Sequence, residues 1–361
     1  MTDVWTPPCP LFGTCGGCSL QDLSWDQYED FKLNKLETLF EKEGLPVDAL
    51  APLTIIKGKT RRRALLRATK VHQNVHLGFY QRGSHDIVNM TACEVLRPEI
   101  FDLLAPLRKL LSPLIPSKKR VEIEVLHTEV GLDVVITGKE LPELNLALIE
   151  KLTAFAEAQT LARLRVNDTL IVQKFLPVAS FSGVNVSADA KGFLQASAQA
   201  DQALSAAVVS LLGEGVTTAV DLFCGRGLFT FALATRARVV HAYDSDEVAL
   251  GALRAAAKAF PGRIKDGARN LFQMPLNASD LKDVDVALLD PPRVGAMGQC
   301  RELAKSAVPH VIYVSCNPES FVKDAARLVA GGYTLESVHP LDQFLWSPHL
   351  EVVASFKRKA S

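Results

Sequence analysis

Much of the chemistry legible in this chain gathers around its cysteines. Cys316 closes the apolar run Val311-Ile-Tyr-Val-Ser315 and is followed at once by Asn317-Pro318. A β-branched and aromatic run ended by Asn-Pro reads as a buried strand that delivers its last side chains to a sheet edge. That edge is where open α/β sheets bind ligands. A thiol held there on rigid backbone suits a nucleophile, although a free cysteine alone reads equally as a small buried hydrophobe. Cys9, Cys15 and Cys18 form a second grouping, C-x5-C-x2-C, with glycines and a proline between the thiols. Joined by a fourth thiolate, for which Cys93 in Met90-Thr-Ala-Cys-Glu94 is the nearby candidate, they suit a tetrahedral zinc or a [4Fe–4S] cluster. Spacing does not choose between the two, because both accept four cysteines. Cys224 follows a strand-like run and reads as packing, and Cys300 falls in a predicted helix.

Two further motifs carry ligand chemistry. Asp221-Leu-Phe-Cys-Gly225-Arg-Gly227 places two glycines directly after a strand-like run, where the backbone must turn tightly and approach a ligand. Asp244 ends the next such run, where dinucleotide-type folds carry an acidic residue on the ribose hydroxyls. The third glycine of a pyrophosphate fingerprint is missing, so a nucleoside ligand without phosphates fits better. S-adenosylmethionine is such a ligand. Asp290-Pro-Pro-Arg293 ends another strand with a carboxylate and two prolines that fix the chain's exit. Where amine-modifying methyltransferases carry an aromatic after the prolines, this chain has Arg293, which shifts the chemistry toward Cys316.

The elements that must position these residues follow from periodicity. From about residue 198 onward, helices alternate with strands over Thr218–Phe223, Val239–Tyr243, Val284–Leu289 and Val311–Val314, a pattern that specifies a doubly wound, mostly parallel sheet. The first half differs. A helix is expected over Leu20–Glu43, its charged face explained by solvent, then an antiparallel sheet with a basic strand, Lys57-Gly-Lys-Thr-Arg-Arg-Arg63 with Arg67 and Lys70. Helical spacing returns over 141–160, and a strand-like run covers Asp168–Val178. Two domains are expected, 1–190 as a smaller α+β metal-loop and RNA-recognition domain and 191–361 as a Rossmann-like class I methyltransferase domain. The 361 residues, 48% apolar, suffice for both cores. Forty basic and forty acidic residues cancel, so any nucleic-acid contact must come from a local patch. The amino terminus lacks a signal-peptide pattern and no apolar run approaches a bilayer's thickness. A cytoplasmic protein with reduced thiols and no membrane partner is expected.

The four-cysteine arrangement, Asp221-Leu-Phe-Cys-Gly225, Asp290-Pro-Pro-Arg293, Ser315-Cys-Asn-Pro318 and His349-Leu-Glu351 together resemble the bacterial RNA uracil-C5 methyltransferase family over nearly the whole chain. The family's phenylalanine–glutamine element is similar to Phe193-Leu-Gln195. The chain begins at the cysteine cluster with no β-barrel segment before it, as in the shorter branch acting on uridine in 23S ribosomal RNA. The resemblance implies that Gln195, Phe223, Asp244 and Asp290 line the S-adenosylmethionine site, beside Gly225 and Asp221 of the glycine turn. It also implies a [4Fe–4S] cluster on Cys9, Cys15, Cys18 and Cys93, with Cys316 as nucleophile and Glu351 as base. One departure stands out: members commonly carry Phe-Pro-His-Thr-Pro-His before the glutamate, whereas here the run is Phe344-Leu-Trp-Ser-Pro-His349. The loop carrying Glu351 is expected to pack differently.

Uracil C5 is a poor nucleophile, which is why the chemistry would need these residues. Addition of the Cys316 thiolate to C6 enriches C5, C5 takes the methyl group, and a base then removes the C5 proton so that the thiolate leaves. A local positive potential, with Arg293 as a candidate source, would favour the thiolate. The target must leave its stack, so a flipped or single-stranded uridine in RNA is the expected partner of a monomeric enzyme. Competing readings are a transfer-RNA uridine methyltransferase, a non-catalytic iron–sulfur RNA-binding or assembly factor, and an amine methyltransferase. A DNA pyrimidine enzyme is disfavoured because Cys316 lacks the Pro-Cys context.

Overall fold

Cys316 follows the last residue of a fully buried strand in an eight-stranded sheet, in a computed structural model that describes residues 5–167 and 169–359. The first half supplies α1 (Trp25–Glu43), β1 (Thr54–Ile55), β2 (Arg63–Val71), β3 (Asn74–Gly78), α2 (Pro98–Asp102), α3 (Leu104–Leu111), β4 (Arg120–Thr128), β5 (Gly131–Thr137), α4 (Leu146–Ala158), β6 (Arg163–Val166) and β7 (Thr169–Gln173). A hairpin of β8 (Val178–Phe181) and β9 (Val184–Ser187) leads into α5 (Ala198–Leu211), β10 (Thr218–Leu222), α6 (Leu228–Ala234), β11 (Val239–Asp244), α7 (Glu247–Ala256) and β12 (Ile264–Ala268). The chain ends with β13 (Val286–Leu289), α8 (Met297–Lys305), β14 (His310–Ser315), α9 (Pro318–Ala330), β15 (Tyr333–Asp342) and β16 (Glu351–Arg358). Asp168, the expected start of a strand, lies outside the described residues.

The large sheet runs β1-β15-β16-β14-β13-β10-β11-β12. β10 to β14 pair in parallel, and β16 enters antiparallel between β14 and β15. β13 and β14 are buried at every residue, as strands covered by helices on both faces require. From β10 the chain winds outward to β11 and β12, then returns to the other side of β10 as β13. That reversal leaves a crevice beyond the carboxyl ends of β10 and β13, the general ligand position of such sheets. Antiparallel β16 begins at this same edge, Val352 pairing with Ser315, so Glu351 starts where β14 ends.

The smaller sheet, β3-β2-β4-β5-β6-β7, is antiparallel except where α4 carries the chain across from β5 to β6. Of the expected basic strand, Arg63, Arg67 and Lys70 lie on β2, while Lys57 to Arg62 precede it. The cores, however, divide differently from a cut at residue 190. Leu36 and Phe40 of α1 sit in the core around β13 and β14, and β1 pairs with β15. Phe181 and Val186 of the β8–β9 hairpin join the other core of the large sheet with Cys224. An amphipathic stripe buries against whichever apolar face completes it, and periodicity alone does not name that face. Cys224 and Cys300 are buried packing residues, as expected.

α1 starts with a capping box between Ser24 and Gln27 and stops at Gly44, whose φ of 67° is the left-handed form glycine adopts without strain. Its buried stripe, Tyr28, Lys32, Leu36 and Phe40, repeats every fourth residue and includes a lysine. The expectation that solvent explains this helix's charges fails there, because Lys32 is paired with Asp342 at 3.1 Å in the interior.

Candidate active site

The crevice opens into a cavity of about 410 Å³. Phe223 and Gly225 after β10, Asp244 at the end of β11, Asp290 after β13, Cys316 after β14 and Glu351 at the start of β16 all line it. Gln195, from the segment before α5, lines it too. The spacing of strands and motifs in sequence is therefore the spacing of functional groups along one sheet edge. Asp221 is the exception. It is fully buried behind the turn, not on the wall, and accepts a 2.5 Å hydrogen bond from the Thr230 hydroxyl. Burial pushes its carboxyl up to about 7.

The glycine turn is built from local constraints. Phe223 and Gly225 both take positive φ, 66° and 51°, and Gly227 follows at 93° before α6 begins. A left-handed non-glycine residue costs on the order of 1 kcal/mol, persisting where its surroundings over-determine it. Here the Phe223 and Cys224 N–H groups both donate to the Tyr243 carbonyl. Asp244 braces the same turn, one oxygen accepting from Gly225 N–H and the other from Asp246 N–H, both at 2.8 Å. Phe272, half exposed on the wall, packs 5.3 Å from Phe223 and carries no sequence signal beyond being an exposed aromatic.

Electrostatically the floor holds too many acids for all to ionise. Asp290 is pushed well above the carboxylate range, first by burial and then by Glu351, Asp221 and Asp244. Glu351 is pushed up to about 7 by burial, a hydrogen bond from Gln343 opposing the shift. The Cys316 thiol is pushed up to about 11 by burial, then by Glu351 and Asp290, with Arg293 pulling it back. Arg293 thus acts in the expected direction but is outweighed. Its guanidinium lies 2.9 Å from His349 Nδ1, and Asn317 donates to its carbonyl. The His349 ring accordingly faces Arg293, while Glu351 takes its hydrogen bond from Gln343, a residue sequence reasoning passed over. A lone glutamine after an apolar strand carries no signature of its partner.

The segment 343–350 between β15 and β16 is held from below. The Trp346 carbonyl accepts from the N–H groups of Ser19 and Leu20, directly after Cys18, at 2.8 and 3.1 Å. The Trp346 ring stacks 4.6 Å from Trp25 and 5.1 Å from Tyr28. Tyr28 donates to Asp342 at 2.5 Å and accepts from Trp346 N–H, and Lys32 donates to the His349 carbonyl. The variant tryptophan thus ties this loop to the cysteine segment.

Cys9, Cys15, Cys18 and Cys93 line one closed hollow of about 20 Å³ with Leu11, Phe12, Phe79 and Met90. Among the described residues, no three His, Cys, Asp or Glu side chains have the spacing of ligands closed on one ion. The donor set still fits a thiolate-bound metal centre. The Cys18 thiol is pushed up to about 12, first by burial and then by Cys93, Cys15 and Cys9, an excess that a cation would reverse. Gly17 N–H points at Cys15 Sγ at 3.4 Å and Leu96 N–H at Cys93 Sγ at 3.5 Å.

The basic stretch divides. Arg62 is buried, bonding Asp201 at 2.5 Å and the Gln195 carbonyl at 3.1 Å, so it joins the two halves. Arg67 pairs with Glu122 and stacks on Tyr80, and Lys70 bonds the Ser112 carbonyl. The expected phosphate-gripping stretch therefore spends Arg62, Arg67 and Lys70 internally, while Lys57, Lys59 and Arg61 are exposed, Lys57 over the Trp25 ring and Lys59 paired with Glu94. No helix among the described residues is long and apolar enough to cross a membrane.

Residues 246–359 match the family described as tRNA (Uracil-5-)-methyltransferase. An uncharacterised RNA methyltransferase of Agrobacterium fabrum is 38% identical over 97% of this chain and 84% of its own. The 23S rRNA (uracil(1939)-C(5))-methyltransferase RlmD of Chromohalobacter salexigens is 34% identical over 96% of this chain and 75% of its own. The fold matches the crystal structure of Pyrococcus abyssi tRNA (uracil-54, C5)-methyltransferase bound to S-adenosyl-L-homocysteine. The TM-score is 0.75, at 21% identity, covering 95% of this chain and 86% of that one.

Proposed function

Since the chain belongs to the S-adenosylmethionine-dependent RNA uracil-C5 methyltransferase family, we propose that it methylates C5 of a uridine in 23S ribosomal RNA through a covalent Cys316 adduct. The observation that carries this reading is the meeting of Cys316, Asp290 and Glu351 on one cavity that the glycine turn also lines. The ribosomal target rests on the likeness to RlmD, which is named for that substrate.

The cofactor's nucleoside would lie over Phe223 and Gly225, with Asp244 toward the ribose and Gln195 and Asp290 toward the methyl-bearing end. Burial, Asp290 and Glu351 keep the resting Cys316 thiol protonated. A sulfonium ion entering the same cavity would supply the positive charge that Arg293 alone does not. The thiolate then adds to C6 of the uracil, the electron pair displaced toward C5 forms the bond to the methyl carbon, and S-adenosylhomocysteine departs with the sulfonium's bonding pair. Glu351 takes the C5 proton as the C6–S bond breaks, returning the thiolate and the C5=C6 double bond. A carboxyl near 7 suits a group that must accept this proton at neutral pH.

The cysteines Cys9, Cys15, Cys18 and Cys93 would hold a [4Fe–4S] cluster, as the resemblance implies. Bound there, it would fix the loop geometry; Ser19 and Leu20 pass that constraint to Trp346 and the Glu351 loop. Incubating purified protein with S-adenosylmethionine and either 5-tritiated ribosomal or transfer RNA tests the reaction. Tritium release from ribosomal RNA alone is expected. Release from transfer RNA alone would move the target, and none from either would leave an RNA-binding factor.

A further inference from the structure

Glu351 is buried at the start of β16, where among the described residues its hydrogen-bond donor is the Gln343 amide, at 2.9 Å. The same amide nitrogen donates to Gln195 Oε1 at 2.6 Å, and the Gln343 carbonyl oxygen accepts from Ala196 N–H at 2.9 Å. An amide has two N–H donors and one carbonyl, so these three contacts use both N–H groups and fix which way the group faces. Flipping it would turn the carbonyl toward two acceptors and the NH2 group toward the Ala196 N–H, so only one orientation satisfies all three partners. The receiving segment is itself fixed: Arg62 bonds the Gln195 carbonyl with Nε and the Ala196 carbonyl with its own N–H. A rigid path therefore runs from the cofactor wall through one amide to the carboxylate.

We propose that Gln343 is a positioning residue for Glu351, aiming the carboxylate at the C5 proton and tying its charge state to the Gln195 side of the cofactor site. The proposal rests on the reading of Glu351 as the base. Because the Gln195 side-chain oxygen accepts from Gln343, its amide N–H groups are the part of that side chain a cofactor would engage. A cofactor that engages Gln195 would stiffen the amide that holds the carboxylate. Removing Gln343 withdraws a donor that favours the charged form of Glu351 and leaves burial, the larger influence, to oppose ionisation. The other titratable groups on the same cavity wall are Asp290 after β13 and the Cys316 thiol after β14, both held toward their neutral forms. Arg293 is turned to His349, and Asp342 on β15 is neutralised by Lys32. The carboxyl must then titrate at higher pH.

The test is single-turnover tritium release from 5-tritiated RNA across pH 6 to 9, with denaturation-resistant RNA–protein adduct followed on gels, for the full-length wild type, Q343M, Q343N and E351Q. Methionine keeps the volume without the amide; asparagine keeps an amide one methylene too short, so folding does not hinge on a single replacement. At neutral pH both Gln343 variants are expected to release tritium roughly tenfold more slowly, the effect of one charge-assisted hydrogen bond. Methylated adduct should accumulate, and the midpoint of the release profile should move to higher pH. E351Q should hold the adduct at every pH. Wild-type rate and midpoint in the Gln343 variants, with E351Q still trapped, would overturn the proposal and leave the base reading standing. Release by E351Q at the wild-type rate would remove the base reading, and the proposal with it.

Discussion

At the scale of residues, the site is a set of groups whose proton affinities are moved by burial and by one another. Cys316 is pushed up to about 11, so the proposed nucleophile rests as the protonated thiol. The account predicts that iodoacetamide alkylation of Cys316, followed by peptide mass spectrometry, has a lower pH midpoint with a cationic cofactor analogue bound than with neutral S-adenosylhomocysteine. An unchanged midpoint would remove the sulfonium from the explanation. Glu351 predicts a stability effect of the opposite kind. Its folded pKa, about 7, lies above the unfolded value near 4.5, so its proton binds more tightly in the native state. Its contribution is fully present below pH 4.5 and is lost as pH rises through 7. E351Q, which cannot ionise, should therefore gain stability relative to wild type between pH 5 and 8, by on the order of 3 kcal/mol at most. Denaturant titrations at the two pH values would show it; a gap that stays constant with pH contradicts the burial argument.

Among elements, the loop 343–350 does the most with the least sequence signal. It is held by Trp346, Tyr28, Asp342 and Lys32, which belong to segments more than 300 residues apart. Lys32→Met would leave Asp342 buried without its cation and remove a donor from the His349 carbonyl, a loss of about 3 to 5 kcal/mol. Tyr28→Phe removes one hydroxyl shared by Asp342 and Trp346, and should cost about 1 to 3 kcal/mol. Urea unfolding of both variants checks the order, K32M the more severe. The strands and their terminal residues were legible, because a parallel buried strand is a continuous apolar run and its functional residues come directly after it. Cys316, Asp290, Asp244 and Gly225 were placed at the sheet edge by that rule. Gln195, Phe223 and Glu351 came from resemblance. Lys32 and Gln343 were not legible, since a single polar residue within an apolar pattern does not disclose a partner from a distant segment. Arg62 misled for the same reason: a run of three arginines reads as surface until one side chain is seen to point inward.

For the whole molecule, the amino-terminal segment is not an appendage. α1 and β1 complete the methyltransferase-side core and sheet, and the cysteine loop stands directly beneath the segment that carries Glu351. If the cysteines hold a cluster, Cys93→Ser should lose iron, sulfide and visible absorbance together. It should still bind S-adenosylhomocysteine, whose wall is built from the other half, while RNA turnover falls. Zinc without iron in the wild-type protein would replace the cluster with a tetrahedral structural site. Loss of cofactor binding in C93S would show that the two halves are coupled more tightly than Arg62–Asp201 and the Trp346 contacts imply.

The central claim, covalent C5 methylation of ribosomal uridine by Cys316, is tested most directly by nucleoside mass spectrometry of unmodified 23S ribosomal RNA incubated with S-adenosylmethionine and either wild type or C316A. The account predicts 5-methyluridine with wild type and none with C316A. Equal 5-methyluridine from C316A would contradict the covalent mechanism, and its absence with wild type, under conditions where transfer RNA is methylated, would contradict the ribosomal substrate.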